Sequence, residues 1–552
     1  MSAATLPASP GALTARQRNL VLGAMCLCLV LVVSGVSMLN NSLPEITEDL
    51  GLGSVMQTWV VDAYALPLAA LLLFAGALGD RFGRRPALVG GIAIYGVAAG
   101  LAATTGSGGA LIVFRALMGV GAALIMPGTL STITSVFPPE ERPKAVGIWA
   151  GFAGAGGTLG LIGSGLLLQA FSWESVFVAT AIVSAIALIA VVLTTPATRS
   201  TEHVGLDPAG SLLSVLGIGF LVFGIIEGPE RGWTDPLTMG ALIGGGVILA
   251  LFVLWELRSS APLLDPRLFR YHGFATGSAS LFLLFFAMFG FFFVSMQFLQ
   301  LVLGYSPLKA ALSTLPMTAI MLPLSAAAPV LAHRFGQKRI AGSGLVIGAA
   351  GFFLFATIQA DSTYWYFLFC MFWVGLGISL AMAPATNAIV ASLPREKQGV
   401  ASAVNDTARE LGAAFGVAML ASAFTTGYRN SIGSHLAGLP EEIAHGAREA
   451  PAIALQAAKQ MGARGTALAD AAKEGFANGT RYALAIGGVA LLLGALYVFW
   501  KGPSRIEELV EDLLDTDGLV AGSTDVRTEA DASGDPVPVA AASDAVDTAS
   551  VY

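Results

Sequence analysis

The feature that most constrains this chain is a succession of apolar runs, each close to twenty residues long, separated by short charged or glycine-rich connections. Such a run matches the ~30 Å hydrocarbon core of a bilayer at a rise of ~1.5 Å per residue, and there only a helix satisfies its own backbone hydrogen bonds. Six runs fall at about 20–39, 55–78, 87–104, 109–130, 145–168 and 175–194. Two more lie at about 210–227 and 237–256, and six at about 274–300, 307–331, 340–358, 364–386, 399–426 and 481–500. The sequence therefore predicts an all-α polytopic membrane protein of about 14 transmembrane helices. Composition agrees, because only 12% of the residues are charged, against ~25% in soluble domains.

What remains outside the runs narrows the function classes. The net charge of -7 gathers partly in the C-terminal tail, and no basic face exists to take nucleic acid. Cys26, Cys28 and Cys370 all sit within apolar runs and fit neither a disulfide framework nor a usual metal site. All five histidines lie between runs, which argues against intramembrane metal or haem. No G-x-x-x-x-G-K loop follows a strand, so neither an enzyme nor ATP-driven transport by this chain alone is predicted. No cofactor is expected, and energy is expected from a proton gradient.

Orientation follows from the Lys and Arg bias. With the N-terminus inside, inner connections collect Arg81, Arg84, Arg85, Arg142, Lys144, Arg334, Lys338, Arg339, Arg395 and Lys397 among others, while short outer loops hold only Arg231 and Lys309. Both termini are then cytoplasmic. The predicted organisation is a tail over 1–18, a six-helix bundle over 19–194, and two added helices with their connections over 195–273. A second six-helix bundle follows over 274–500, containing an extracellular segment at 427–480, and then a disordered cytoplasmic tail over 501–552. Residues 441–477 are Ala-rich and predict one or two short helices outside the membrane.

The halves repeat. A shift of 256 residues lays Gly119-x-Gly121 on Gly375-x-Gly377, Met126 on Met382, and Gly156-x-x-x-Gly160 on Gly412-x-x-x-Gly416. A shift of 253 lays Arg81-Phe82-Gly83 on Arg334-Phe335-Gly336. Duplicated bundles that rock about a mid-membrane site are a common transporter plan. The informative positions are those not shared: Asp62 faces Leu315, Arg115 faces Met371, and Asp80 faces His333. On these positions, charge at depth is predicted in the first half only.

An ionisable side chain at a helix centre costs about 2.5 to 3.5 kcal/mol on insertion scales, so it needs a reason. Asp62 and Arg115 each stand a few residues inside a helix entering from outside, at comparable depth. Asp62 is a candidate acceptor for a coupling proton or a cationic substrate, with Arg115 tuning it; a static ion pair is the alternative. Asp406 and Glu410 share a face at i, i+4 with Arg409 beside them, as a second proton site, a cytoplasmic gate, or an interfacial charge cluster.

The turn after the second run carries the most specific signal. Gly76, Leu78, Gly79, Asp80, Arg81, Gly83, Arg84 and Arg85 resemble the G-x-L-x-D-R-x-G-R loop of major facilitator superfamily transporters. The resemblance implies a conformational latch, in which the aspartate meets neighbouring arginines and a helix N-terminus. WVVDAYAL, LDPAGSLLS, IIEGPERGW, PLLDPRLF, QLVLGYSPLKAAL and GVASAVNDTARELGAAFGVA are similar to signatures of the fourteen-helix drug:proton antiporter branch and span most of 20–500. The fifth run, with Gly156, Gly160 and Gly165, resembles the antiporter helix, except that Leu161 stands where Pro is expected and Ser164 where Gly is. In the first run SGVSMLNNSLP replaces the branch's L-D-x-T-I-V-N-V-A-L-P, leaving Gly35 at the aspartate.

The resemblance implies a secondary transporter, acting as a monomer in the bilayer, that exports a small lipophilic drug, dye or natural product in exchange for protons. Phe289, Phe292, Phe293 and Met296 suit such a ligand, as they would also suit a lipid-facing stripe. Alternatives are export of an endogenous lipid or metabolite, proton symport, or a transport-dead sensor or assembly factor.

Overall fold

The computed structural model describes residues 13–503, except 53, 197–206, 261, 394–397, 434–435, 437–439, 441–443, 445 and 449–450. Every regular element among them is helical, and fourteen spans are long and apolar enough to cross a membrane. The first six helices are α1 (Ala15–Leu50), α2 (Ser54–Phe82), α3 (Arg84–Ala102), α4 (Gly108–Val136), α5 (Arg142–Leu167) and α6 (Glu174–Thr194). Two central helices follow, α7 (Pro208–Arg231) and α8 (Pro236–Glu256). The rest are α9 (His272–Gln297, continued by a π turn Phe298–Val302), α10 (Pro307–Ser313), α11 (Leu315–Phe335), α12 (Gln337–Phe355), α13 (Tyr364–Ala391), α14 (Gln398–Ile432), α15 (Pro451–Gln460) and α16 (Thr466–Lys501).

Local chemistry explains the boundaries. Thr14 caps α1 in a reciprocal box with Gln17, so the helix begins inside the stretch 1–18 expected to be a tail. Asp207 and Asp235 cap α7 and α8 ahead of a proline in the first turn. Gly83 at φ 103° and Gly336 at φ 98° turn the chain out of α2 and α11, a conformation that L side chains resist. The run expected at 307–331 is broken at Thr314. Pro316 has no N–H to continue the ladder, and Thr314 and Met317 make tight bonds to Ala311 and Thr314 instead.

The repeat read from glycines is visible as packing. In the first half α1 lies on α4, α5 and α6, α2 on α4, and α3 on α4 and α6. In the second, α9 lies on α13, α14 and α16, α11 on α13, and α12 on α13 and α16. A Cβ at Gly91 would stand 2.9 Å from the Gly121 carbonyl, and one at Gly344 2.9 Å from the Gly377 carbonyl. These are the same close approach, α3 to α4 and α12 to α13, made twice.

Two seams join the halves: α5 with α10, α11 and α13, and α14 with α2 and α4. The added helices form a hairpin in which α7 rests on both α2 and α14, and α8 rests chiefly on α7. Several helices outrun their apolar cores. α1 continues to Leu50, where Glu45 and Asp49 accept the Trp173 backbone and indole N–H groups at 3.2 and 3.0 Å. α16 starts at Thr466, so the end of the stretch expected to form separate short helices is one continuous helix, packed on α14 through Gly427, Gly475 and Gly479. α15 supplies one short helix; the tail over 504–552 lies outside the described residues.

Candidate functional site

At the end of the bundle that carries the Asp80 loop, the aspartate and one arginine of the motif meet the start of α14. Asp80 is 3% exposed, and its Oδ1 accepts the Gly399 N–H at 3.1 Å and Arg84 at 3.4 Å. Gly399 stands at the start of α14, so the carboxylate meets the positive end of a helix from the opposite half. Arg84 also donates to the Ser131 carbonyl at 3.1 Å, tying the loop to α4. The other two arginines do not reach the aspartate: Arg85 donates to the Val192 carbonyl on α6 at 2.6 Å, and Arg81 lies exposed over Phe82. Gly76 is held by contact, since a Cβ there would be 2.6 Å from the Ala403 Cβ. A Cβ at Gly399 would run into Asp80 Oδ2.

The counterpart at the other seam lacks these charges. His333 replaces Asp80 and is exposed, and Pro143, in place of Gly399, has no N–H to donate. Gln337, in place of Arg84, still donates to a carbonyl of the neighbouring helix, that of Pro384. Close contacts line this seam, with Gly147 against Ser325 and Pro329, Gly151 against Leu322, and Gly154 against Met321. Of the glycines taken from the antiporter pattern, Gly156 and Gly160 pack on Val33 and Ser34 of α1 within one half, whereas Gly165 meets Leu308 of the other. α5 is a continuous helix, and Asn41 donates to the Leu161 carbonyl and to Ser164 at 3.0 Å each, the two positions that depart from the pattern.

Deeper, Arg115 is 1% exposed and acts as a clamp. Its guanidinium donates to Val60 and Val61 carbonyls of α2 at 3.1 and 3.5 Å and to the Gly35 carbonyl of α1 at 3.2 Å. It also lies 4.5 Å from the centroid of the Tyr64 ring, which is edge-on to Tyr95. Asp62 is half-buried and within electrostatic reach of Arg115. Tyr64 and Tyr95 donate to the Val32 and Leu31 carbonyls at 2.9 and 3.2 Å. A Cβ at Gly35 would collide with the Tyr95 hydroxyl, so this chain has filled the place of the branch's first-helix aspartate with a tyrosine.

The expectation of deep charge in the first half only is overturned by α14. Asp406 is fully buried and Arg409 is 3% exposed, paired at 3.2 Å. Asn405 donates to the same Asp406 oxygen at 3.0 Å, while Oδ2 has no hydrogen-bond partner among the described residues. The Arg409 guanidinium lies 5.3 Å from the Trp149 ring of α5 and 4.6 Å from the Phe285 ring of α9. Glu410 is half-buried. At ~3.6 residues per turn it continues the stripe of Gly399 and Ala403 that faces α2, and it lies within electrostatic reach of Tyr64. The repeat positions singled out in the sequence are all first-half charges, whereas here the charge is in the second half and Ala150 lies opposite Asp406. Phe289 stacks on Phe285 beside the pair, whereas Phe293 is turned outward.

Two repeats of membrane-spanning helices that meet along two seams, with buried ionisable groups at one of them, follow a plan common among membrane transporters. The family model described as Major Facilitator Superfamily matches residues 25–417, and the chain belongs to that family. It is 34% identical over 478 residues to the multidrug efflux pump LfrA of Mycolicibacterium smegmatis, covering 86% of this chain and 95% of that one. It is 33% identical over 383 residues to the tetracenomycin C resistance and export protein of Streptomyces glaucescens, covering 68% and 70%. The solved proton:xylose symporter XylE shares its fold at a TM-score of 0.61 and 16% identity, covering 91% of this chain and 100% of that one.

Proposed function

We propose that this multi-pass membrane protein exports small hydrophobic or amphipathic compounds, of the drug or natural-product kind, in exchange for protons. Both termini face the cytoplasm, so the Asp80 end is the inner end, and one copy suffices. The observation that carries the reading is Glu410. It is a half-buried acid on the face of α14 that meets α2, and on this reading an opening of that seam changes its solvation. Tyr64, whose ring lies under Arg115, is within electrostatic reach of Glu410, which on this reading is how a proton loaded on one half is felt by the other. Asp406 and Asp62 are the further candidates for carrying protons, one beside Arg409 and the other near Arg115. The name of LfrA as a multidrug efflux pump supports drug cargo and outward direction.

The experiment is efflux from vesicles with an imposed pH gradient, using a panel of lipophilic cations and neutral drugs. The reading predicts gradient-driven accumulation that falls by at least about tenfold, or ~1.4 kcal/mol, in Glu410→Gln. Accumulation indifferent to the gradient removes the proton half of the reading. Undiminished coupling in Glu410→Gln and in Asp62→Asn removes those groups from the mechanism.

A further inference from the structure

Two places, one where α14 meets α5 and α9 and one inside the first half, have the chemistry to receive a cation, and in both this chain has put its own guanidinium. Aromatic faces attract ammonium and related cations, and a carboxylate pairs with them. The Trp149 and Phe285 rings both lie within cation–π distance of Arg409, which is also paired with Asp406. Near Gly35, where a carboxylate would otherwise project from α1, Arg115 binds the Gly35 carbonyl and lies on the Tyr64 ring. A collision with the Tyr95 hydroxyl keeps any Cβ out.

We propose that Arg409 is a specificity residue, a tethered cation that holds the Trp149, Phe285 and Asp406 cage against permanently cationic substrates and biases this transporter toward uncharged lipophilic compounds. The proposal deepens the export reading and rests on it for the location of cargo between the halves. The polar atoms left over fit an uncharged guest. Arg409 Nε offers an unused donor, and Asn405 Oδ1 and Asp406 Oδ2 offer unused acceptors, all three buried. A neutral compound with a hydrogen-bonding group can pair with one of these without displacing the guanidinium. A permanent cation can use the ring faces only by expelling Arg409 from Asp406, which leaves a buried charge unpaired.

The test compares two probes of nearly equal shape, methyltriphenylphosphonium and triphenylphosphine oxide, by equilibrium binding to the purified full chain in lipid nanodiscs without a gradient. The wild type is expected to bind the oxide at least about tenfold more tightly. Arg409→Gln should raise the ratio of cation to neutral binding by about tenfold, and Arg409→Lys should keep it near the wild-type value. A wild type that binds the phosphonium as tightly as the oxide overturns the proposal, as does an unchanged ratio in a folded Arg409→Gln protein. If that variant does not fold, the wild-type ratio still decides. Because no gradient is present, failure of proton coupling leaves this result standing. Binding of neither probe overturns the lipophilic-cargo reading and this proposal with it.

Discussion

The two seams between the halves are built from the same duplicated scaffold and closed by different physics. At α2 and α14, glycine contact at Gly76 is joined by a buried carboxylate that accepts an N–H from the start of a helix in the other half. At α5 and α11, glycine contact at Gly147 stands without an Asp80 counterpart, because His333 and Pro143 occupy the equivalent places. Steric fit is thus a property of the repeat, whereas the electrostatic clasp was placed on one seam. On the export reading the seams have separate tasks: both meet when the Asp80 end closes, and the charged one sets how firmly it stays closed.

The largest expected effects come from breaking steric fit, and they should be equal at the two seams. Gly76→Leu and Gly147→Leu each force a side chain into backbone or Cβ atoms of the other half. Overpacking of this kind costs about 1–3 kcal/mol, so efflux should fall roughly tenfold to a hundredfold in both at normal membrane levels. A tolerant Gly147 would show that the α5 seam parts more widely than this structure indicates.

Next is the charge, where symmetry should fail. Asp80→Ala removes a charge-assisted bond worth about 1.5–3 kcal/mol, so the population open at the inner end should rise by about tenfold or more. Thiol labelling of a cysteine at Ala403 would read that rise directly, since the three native cysteines are buried. His333→Asp adds a carboxylate where Pro143 has no N–H to give, and should change that labelling by less than about twofold. A large effect of His333→Asp would erase the distinction between the seams.

Smaller again is Gly35→Asp, which restores the residue found in related first helices. Its side chain collides with Tyr95, so efflux is expected to fall rather than rise, and Tyr95→Ala in the same protein should recover part of the loss. That recovery, read in the vesicle assay, would separate a packing conflict from a change in proton stoichiometry.

The fold was largely legible in the sequence because both of its determinants are written locally. Run length fixes a span, and glycines at shared offsets fix which helices touch, as Gly91 with Gly121 and Gly344 with Gly377 demonstrate. The Asp80 loop was legible as a motif, but its partner was not. Gly399 has no side chain, and its contribution is a backbone N–H exposed only by the start of α14. Of the loop's arginines, the sequence could not separate Arg84, which reaches Asp80, from Arg81 and Arg85, which do not. The Arg409 cage was hidden for another reason. It draws one ring from each of two helices far apart in the chain, so neither Trp149 nor Phe285 carries a mark of its role.

Whether an electrostatic clasp on one seam governs closure of the Asp80 end is decided by the distance between spin labels at Arg81 and Arg334. Both positions are exposed, and they end α2 and α11 in opposite halves. Asp80→Ala should shift the distribution toward the longer separation, while His333→Ala leaves it in place. Equal distributions in Asp80→Ala and wild type, in a protein that still binds substrate, would contradict the account.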